Sequence, residues 1–348
     1  MSRTAAELAG HGGRLCVARA LYPHAPEPWV DLSTGINPEA YPAPPASAAA
    51  RGRLPTLEEI RALETAAGNA FGFSDADPVA AGDRIAAAAG SEAVLRLMPY
   101  ALCAEAAVVV GPTYSSHATA WRHARDTDVS LDVAVRFAES MPARSVVTLV
   151  NPNNPDGAVM RREELLQLHD IITSRDGYLV VDEAFADVEP GCSVAAVAGS
   201  TRYPRLVVLR SFGKFYGLAG VRLGFVIAAP TIITRLRELL GDWPVSADAI
   251  AAGLAAYADD AWADRTRERL AQTAHRLDDL LISNGLEIIG GTSLFRLACC
   301  NDAPARFEQL LRAGILARPF DRDPTLLRFG LPPDASAWQR LAEALKTP

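Results

Sequence analysis

The chain has 348 residues and a net charge of −7, with 49% hydrophobic and 22% charged residues. This composition predicts a globular protein with a sizeable core, and the length suggests two domains. The acidic balance argues against a nucleic-acid partner, and no signal segment or membrane-spanning stretch is expected. Five cysteines, two of them adjacent, indicate reduced thiols in a cytoplasmic protein, and no Cys/His spacing predicts a metal site.

The N-terminal segment is rich in proline, and we expect it to run over the core as an extended arm. Two short motifs stand out in it, His11-Gly12-Gly13 and the turn Gly35-Ile36-Asn37-Pro38. A lone histidine is more often structural than functional, so His11 indicates a site only in combination with other features.

Residues from about 52 to 240 alternate strand and helix patterns, which predicts an α/β fold with a mostly parallel sheet and helices on both faces. After Trp243-Pro244, a long helical pattern from about Ser246 to Asn284 leads to a smaller α+β unit. This unit has strand-like runs near 294–298, 314–318 and 326–329, a helix near 303–313 and a terminal helix.

The first candidate site residues of the large region lie at a helix start and directly after a strand. Gly90-Ser91 starts a helical run that continues through Glu92, and a helix start offers free N–H groups and a positive dipole end to a phosphate. Such starts are common, so this signal is weak alone. Tyr114 follows the apolar strand Ala107–Val110, where its ring could stack on a planar heterocycle.

Two polar residues follow the next strands. Asn154 lies in the proline-flanked turn after Val146–Val150, and its amide can donate a hydrogen bond to a phenolate oxygen. Asp182 ends the buried strand Tyr178–Asp182, at the edge where open α/β sheets collect ligands. A carboxylate there could equally cap the next helix.

Lys214 follows the apolar strand Leu206–Leu209, within a segment of small and aromatic residues. An amine partly desolvated at a strand end is a candidate nucleophile towards an aldehyde. Ser211 and Arg222 would suit the phosphate that such an aldehyde cofactor carries. A glycine-rich turn that holds a lysine for structural reasons is the alternative.

In this order, these motifs resemble the cofactor site of the fold-type I pyridoxal 5'-phosphate enzymes. The resemblance implies that Lys214 forms an imine with the cofactor aldehyde and that Asp182 pairs with the pyridine nitrogen. It also implies that Asn154 donates a hydrogen bond to the phenolate and that Tyr114 stacks on the ring. The phosphate would lie in a cup at the helix start, formed by Gly90, Ser91, Glu92, Ser211 and Arg222.

The same resemblance implies a homodimer with active sites near its interface. It also implies that the arm joins the C-terminal unit, which gives a large cofactor-binding domain at 52–240 and a small domain from 1–51 with 241–348.

Within that group, the chain resembles the L-threonine O-3-phosphate decarboxylases of cobalamin biosynthesis from about residue 11 to residue 330. The resemblance implies that Arg328, with Asn154 and Gly35, orients the substrate carboxylate. It implies that His11, Gly12 and Arg318 bind the substrate phosphate. The product would be 1-amino-2-propanol phosphate, and the adenosylcobinamide-phosphate synthase is a possible partner.

Aminotransferases acting on histidinol phosphate or another amino acid are the main alternative. Two departures argue against them: Phe185 stands where many aminotransferases have a phenolate-donating tyrosine, and Leu54 where histidinol-phosphate aminotransferases have a tyrosine reaching the neighbouring subunit. A non-catalytic scaffold would have no reason to retain Lys214. A nucleotide-binding module is disfavoured because no Gly-x-Gly-x-x-Gly follows a strand.

Overall fold

The computed structural model describes residues 12–74, 81–121, 126–140 and 144–346, together with Leu8, Gly10, Val79 and Pro142. Its chain divides into two compact units. The larger unit comprises the described residues of Tyr41–Asn154 and Ala158–Ala261, and the smaller unit those of Met1–Ala40, Pro155–Gly157 and Trp262–Pro348. The stretch 52–240 lies within the larger unit apart from Pro155–Gly157.

Strands and helices are numbered here in chain order. The strands are β1 Val30–Asp31, β2 Ile85–Ala88, β3 Ala107–Val110, β4 Asp126–Val129, β5 Val146–Val150, β6 Tyr178–Asp182, β7 Leu206–Ser211, β8 Gly224–Ile227, β9 Glu287–Thr292, β10 Phe295–Cys299, β11 Ile315–Leu316, β12 Arg318–Pro319 and β13 Leu326–Gly330. The α-helices are α1 Leu15–Leu21, α2 Ala48–Arg51, α3 Leu57–Ala70, α4 Ser91–Leu102, α5 Ser115–Ala120, α6 Leu131–Ser140, α7 Arg162–Thr173, α8 Phe212–Phe215, α9 Pro230–Leu240, α10 Ala247–Tyr257, α11 Asp260–Ser283, α12 Ala303–Arg312 and α13 Ala335–Lys346. Short 3-10 helices occur at Ala81–Asp83, Ala186–Val188, Pro190–Cys192, Ala195–Val197 and Ala219–Val221.

In the described part of the larger unit, seven strands form one sheet in the order β2-β8-β7-β6-β5-β3-β4. Strands β7, β6, β5, β3 and β4 are mutually parallel, and β8 is antiparallel to both neighbours. The predicted α/β class with a mostly parallel sheet is therefore confirmed. Strands covered on both faces need apolar residues throughout, which is why β5 reads Val-Val-Thr-Leu-Val and is buried at every position.

Helix α4 packs against this sheet through a buried apolar face. Its Val94, Leu95 and Met98 belong to the same buried cluster as Val146 of β5. Fully burying a side chain of this size stabilises the fold by about 1.5–3 kcal/mol. The cluster thus fixes the position of the helix start at Gly90 relative to the strand ends.

Register aligns the carboxyl ends of the central strands. Asp182, the last residue of β6, pairs with Val150 at the end of β5 and with Leu209 on β7. Because parallel strands end at the same edge of a sheet, the segments that follow β5, β6 and β7 emerge side by side.

The smaller unit contains an antiparallel sheet in the order β12-β13-β10-β9, and β1 pairs in parallel with β11. The turn Pro155–Gly157 belongs to this unit because it lies against β9, where Gly291 N–H donates to the Asp156 carbonyl at 2.6 Å. Gly157 has a φ of +70°, and a Cβ there would lie 2.1 Å from the Gly291 carbonyl oxygen, so only glycine fits.

Four elements differ from the sequence-based expectation. The strand-like run 314–318 forms two strands, β11 and β12, in different sheets. The arm contains the helix α1, although its prolines predicted an extended segment. The helical pattern of 246–284 forms two helices, and the second begins at Asp260, an acid of the kind that favours helix starts. Strand β9 is an addition, since its glycines weaken the strand pattern. No described helix is long and apolar enough to cross a membrane.

Candidate active site

The start of α4 forms a cradle for an anion in the larger unit. Gly90 is its N-cap with a φ of +90°, and a Cβ at this position would lie 2.6 Å from Nη2 of Arg222. A Cβ at Gly224 would lie 2.3 Å from the Ser91 nitrogen, and Gly224 pairs with Ser211 across β8 and β7. Two glycines therefore allow the backbone of Ser91, the strand end at Ser211 and the guanidinium of Arg222 to lie around one helix start.

This cradle has the electrostatics of a phosphate site. The described helix α4 has no side-chain cap at Gly90, so its first backbone N–H groups are oriented outward along a twelve-residue helix. Glu92, in the first turn, forms an ion pair with Arg96 at 2.9 Å. The Glu92 carboxylate is thereby paired within its own helix. The positive helix end and Arg222 can then attract the anion.

Asp182 is buried at the end of β6, with 4% of its surface exposed. Its Oδ1 accepts a hydrogen bond from the Ala184 N–H at 3.0 Å, and its Oδ2 lies 2.9 Å from Nε2 of His117. The carboxylate therefore caps the following turn and also bonds a buried imidazole. An acid oriented in this way can hold a proton on a neighbouring ring nitrogen.

His117 is a site residue that the sequence reasoning missed. It lies on the short helix α5, is 1% exposed, and its ring meets the Tyr114 ring edge-on with 6.3 Å between centroids. The sequence gives no signal for it, because its partner Asp182 lies 65 positions further along the chain.

Tyr114 immediately precedes α5 and is partly buried. Burial is the main cause that raises the pKa of its phenol, the carboxylates of Glu92 and Asp182 raise it further, and a hydrogen bond with Ser116 opposes them. The ring is therefore neutral at physiological pH and presents an uncharged aromatic face.

Asn154 is buried in the turn that follows β5. Asn151 closes this turn, because its side chain accepts from the Met160 N–H at 2.8 Å and donates to the Met160 carbonyl at 3.0 Å. Asn153 accepts a hydrogen bond from the Thr113 hydroxyl at 2.7 Å, which ties the turn to the one that follows β3. The turns that carry Asn154 and Tyr114 are thus held together.

Lys214 lies on α8, directly after β7, and is half-buried. Its Nζ lies 5.9 Å from the centroid of the Phe185 ring, and Phe212 and Phe215 on either side of it are buried. Gly213 allows this packing, since a Cβ there would lie 2.6 Å from the Ala219 Cα. An amine in such apolar surroundings is suited to nucleophilic attack on an aldehyde.

A second cluster lies in the smaller unit, where Arg318 of β12 pairs directly with Arg328 of β13. Both are buried, at 8% and 2% exposure. Nη2 of Arg328 donates to the Ser33 carbonyl at 2.8 Å, and its guanidinium lies 4.9 Å from the Phe295 ring centroid. Burial is the main cause that lowers the pKa of Arg328, Arg318 lowers it further, and Asp31 opposes them.

The arm is held against this cluster by Ser33. Its N–H and hydroxyl donate to Oδ1 of Asp31 at 2.9 and 2.5 Å, and its hydroxyl accepts from the Gly13 N–H at 2.8 Å. Gly12 passes so close that a Cβ would lie 2.5 Å from the Ser33 carbonyl oxygen. Gly35 is buried two residues further along.

Three predicted positions remain to be placed. His11 lies outside the described residues. Leu54 is 59% exposed, and Phe185 is buried at 4% exposure below Lys214. The structure therefore groups the predicted cofactor residues in the larger unit and Gly12, Gly35, Arg318 and Arg328 in the smaller unit, each set by itself.

Comparison with known proteins identifies the fold. A solved histidinol-phosphate aminotransferase from Sinorhizobium meliloti, in complex with pyridoxal-5'-phosphate, superposes with a TM-score of 0.77 at 20% identity, covering 95% of this chain and 93% of that one. The chain accordingly has the fold of the fold-type I pyridoxal phosphate enzymes, as predicted.

The sequence comparisons define the family. Residues 39–345 match the family described as aminotransferase class I and II, and the chain belongs to this family. A threonine-phosphate decarboxylase from Pseudomonas aeruginosa is 38% identical over 335 residues, covering 96% of both proteins. A threonine-phosphate decarboxylase from a Sinorhizobium species is 39% identical over 339 residues, covering 96% of this chain and 97% of the relative.

Proposed function

We propose that this chain is a pyridoxal phosphate-dependent carboxy-lyase that converts L-threonine O-3-phosphate to (R)-1-amino-2-propanol O-2-phosphate in cobalamin biosynthesis. The observation that carries the proposal is the pair of buried arginines, Arg318 and Arg328, directly opposite each other on neighbouring strands. A substrate with both a carboxylate and a phosphate needs two cationic anchors, and guanidinium groups suit both anions. Histidinol phosphate itself has no carboxylate, and in an aminotransferase the second anchor would serve the 2-oxo acid co-substrate.

The residues of the larger unit fit the cofactor. Its phosphate suits the cradle at Gly90, where backbone glycine is required for Arg222 to approach the helix start. Its flat ring suits the neutral face of Tyr114, and its phenolate oxygen suits the amide of Asn154. The lysine half-buried among aromatic rings suits covalent attachment of the aldehyde.

The cofactor supplies an electron sink for the pair of electrons that remains at Cα when CO2 leaves. Asp182 has the matching task on the protein side: its Oδ2, held by His117, keeps a proton on the pyridine nitrogen. Arg328 orients the carboxylate, so that the bond to CO2 is the one that breaks. Nζ of Lys214 then delivers a proton to Cα.

Specificity follows from the cluster in the smaller unit. Arg328 is positioned by its hydrogen bond to the Ser33 carbonyl, and the arm residues Gly12 and Gly13 lie against Ser33. Arg318 binds the substrate phosphate together with His11. Plain threonine lacks that phosphate and should be a far poorer substrate.

An aminotransferase acting on histidinol phosphate or another amino acid is the second candidate, because the matching family includes aminotransferases. The environment of Lys214 favours the lyase. Phe185 has no hydroxyl to donate a hydrogen bond to the cofactor phenolate. A lyase has less need than a reversible aminotransferase to control the electronics of the cofactor imine through that hydrogen bond.

We further propose a homodimer located in the cytoplasm, with the adenosylcobinamide-phosphate synthase as the receiver of the product. The five free cysteines support this location. Size-exclusion chromatography with light scattering tests the dimer. A monomer with full activity would exclude an obligatory contribution from a partner subunit.

Borohydride reduction followed by peptide mapping tests the cofactor site. The reduced cofactor should be attached to Lys214, and Lys214→Ala should lose the yellow absorbance of the purified protein. Attachment to any other lysine would remove the basis of the site assignment.

NMR of the reaction mixture should then identify 1-amino-2-propanol phosphate as the product from threonine phosphate.

A further inference from the structure

A buried ionic cluster lies beside the candidate cofactor site and has no part in the chemistry proposed above. It consists of Arg210, Glu183 and Asp187, which are 5%, 0% and 8% exposed. Nη1 of Arg210 donates to Oε2 of Glu183 at 2.9 Å, and Nη2 donates to Oδ1 of Asp187. The guanidinium also lies 4.5 Å from the Phe71 ring centroid.

Further hydrogen bonds complete the cluster around Glu183. Its Oε1 accepts from the Val194 N–H at 2.6 Å, and its Oε2 accepts from the Ser193 hydroxyl at 2.5 Å. Arg210 also donates to the Ser193 hydroxyl oxygen at 3.3 Å. The cluster therefore connects the end of β6, the end of β7 and the segment that contains Ser193.

Two of the three charged residues of the cluster, Glu183 and Arg210, are adjacent in sequence to a residue of the candidate site. Glu183 directly follows Asp182, and Arg210 precedes Ser211 in the strand that leads into α8 and Lys214. The Glu183 N–H donates to the Leu209 carbonyl at 2.9 Å, so the two strand ends are also joined by backbone. Successive side chains of a strand point to opposite faces, which places the cluster behind the site.

The opposite charges in this cluster favour each other's ionised forms. Burial acts to lower the pKa of Arg210, but the carboxylates of Asp187 and Glu183 outweigh it and raise that pKa above its ordinary value. Burial raises the pKa of Glu183, and Arg210 opposes this effect. Buried ion clusters seldom stabilise a fold more than well-packed apolar residues of the same volume would, so stability alone does not account for this one.

We propose that Arg210 is a positioning residue, which acts through Glu183 and Asp187 to fix the ends of β6 and β7 and thereby the spacing between Asp182 and Lys214. The inference rests on the proposed function only for its kinetic readout. The circular dichroism of the cofactor and the His117 resonance report the placement of Asp182 and Lys214 without substrate. A displacement of about 1 Å in a reacting group can cost about 10²-fold in rate.

The test compares Arg210→Lys with wild type, because lysine keeps the charge but cannot bond both carboxylates in one plane. We expect kcat per bound cofactor to fall about 10- to 100-fold with little change in KM. The visible circular dichroism of the bound cofactor should weaken. In cofactor-free protein, the ring N–H proton resonance of His117 should shift, since its partner Asp182 moves. Glu183→Gln, which retains the shape of the side chain, should give an intermediate effect.

Glu64→Gln is the matched control. Glu64 is also a buried carboxylate of the larger unit, 2% exposed, bonded to Arg237 at 2.8 Å and to the Ala87 N–H at 3.0 Å. It should lower the unfolding midpoint while it leaves the circular dichroism and the His117 resonance at their wild-type values.

The proposal is overturned if Arg210→Lys and Glu183→Gln behave like this control, with altered unfolding midpoints but wild-type kcat, dichroism and His117 resonance. Should Arg210→Lys fail to fold, the same readouts on Glu183→Gln decide the question. If threonine phosphate proves not to be a substrate, the dichroism and the resonance still test the positioning role by themselves.

Discussion

Arg318 and Arg328 occupy directly opposed positions on the antiparallel strands β12 and β13, so their side chains lie on the same face of the sheet. Two buried guanidinium groups at this spacing repel each other, and Arg318 contributes to the lowered pKa of Arg328. Asp31 opposes this repulsion within the protein, and a ligand with two anionic groups would oppose it further.

The first prediction concerns this arginine pair. Threonine phosphate at about 100 times its Kd should stabilise the cofactor-free wild-type protein, which cannot decarboxylate it, by about 2.7 kcal/mol, since binding to the folded state shifts the unfolding equilibrium. Arg318→Gln and Arg328→Gln should each lose most of this stabilisation. Calorimetry with and without the ligand measures it.

Arg312→Gln provides the control for net charge, because Arg312 is in the same unit and its side chain is 73% exposed. It should retain the full ligand effect. Equal loss in all three variants would show that the ligand responds to overall charge and not to the buried pair.

A second prediction concerns Asp182. Asp182→Asn should still bind the cofactor, because the cradle at Gly90 is unchanged, but the ring nitrogen and His117 lose a negative partner. Electrostatic and acid–base groups of this kind are worth about 10²-fold or more in rate. The measurement is kcat per bound cofactor. Asp176→Asn, at a 70% exposed side chain of the same unit, should keep wild-type turnover; near-normal turnover in Asp182→Asn would show that this acid only caps its turn.

Gly90→Ala tests the cradle itself. An L-residue at a φ of +90° costs roughly 1–2 kcal/mol, and the new Cβ would also displace the Arg222 guanidinium from 2.6 Å. We expect a lower unfolding midpoint and a weaker cofactor Kd, measured by equilibrium dialysis. Gly220→Ala is the comparison, because no atom lies within 4 Å of a Cβ there. If both variants bind the cofactor equally well, the helix start does not hold the phosphate.

The sequence anticipated those features of the fold that depend on local pattern. Continuous apolar runs predicted β5 and β6, and the polar residues directly after such runs were predicted to lie at the carboxyl edge of the sheet. The cradle was harder to predict from the sequence, since Gly90-Ser91 alone is an ordinary helix start. Its distinguishing feature, the approach of Arg222, depends on packing between distant segments.

The residues that the sequence did not indicate depend entirely on tertiary contacts. His117 lies in a six-residue helix and has no periodic pattern to distinguish it, and only its 2.9 Å contact with Asp182 places it beside the candidate site. Arg210 is a strand residue whose partner Asp187 lies 23 positions away. Charge pairs at such separations leave no local signal.

The fourth prediction uses alkaline pH. Tyr257 is buried, and burial is the main cause that raises its pKa well above the ordinary value, with Tyr216 and Asp187 raising it further. Above pH of about 10 the unfolded chain releases the phenolic proton while the folded protein retains it. The unfolded state then binds fewer protons, so stability falls as pH rises.

Tyr257→Phe removes this proton and keeps most of the ring packing. The free energy of unfolding should therefore fall less above pH of about 10 in the variant than in wild type, with a total difference of about 1.4 kcal/mol for each pKa unit of the shift. Tyr100→Phe, at a 65% exposed residue, should follow the wild-type curve. Superimposable curves for wild type and Tyr257→Phe would contradict the raised pKa.

The most direct test of the proposed function measures CO2 release from carboxyl-labelled threonine phosphate without any 2-oxo acid, beside glutamate formation from 2-oxoglutarate with histidinol phosphate. We predict labelled CO2 from threonine phosphate, about 100-fold or more loss of it in Arg328→Ala by the cost of truncating one partner of a buried charged contact, and little or no glutamate. Glutamate formation with histidinol phosphate, and no labelled CO2 from threonine phosphate, would contradict the decarboxylase function and establish an aminotransferase.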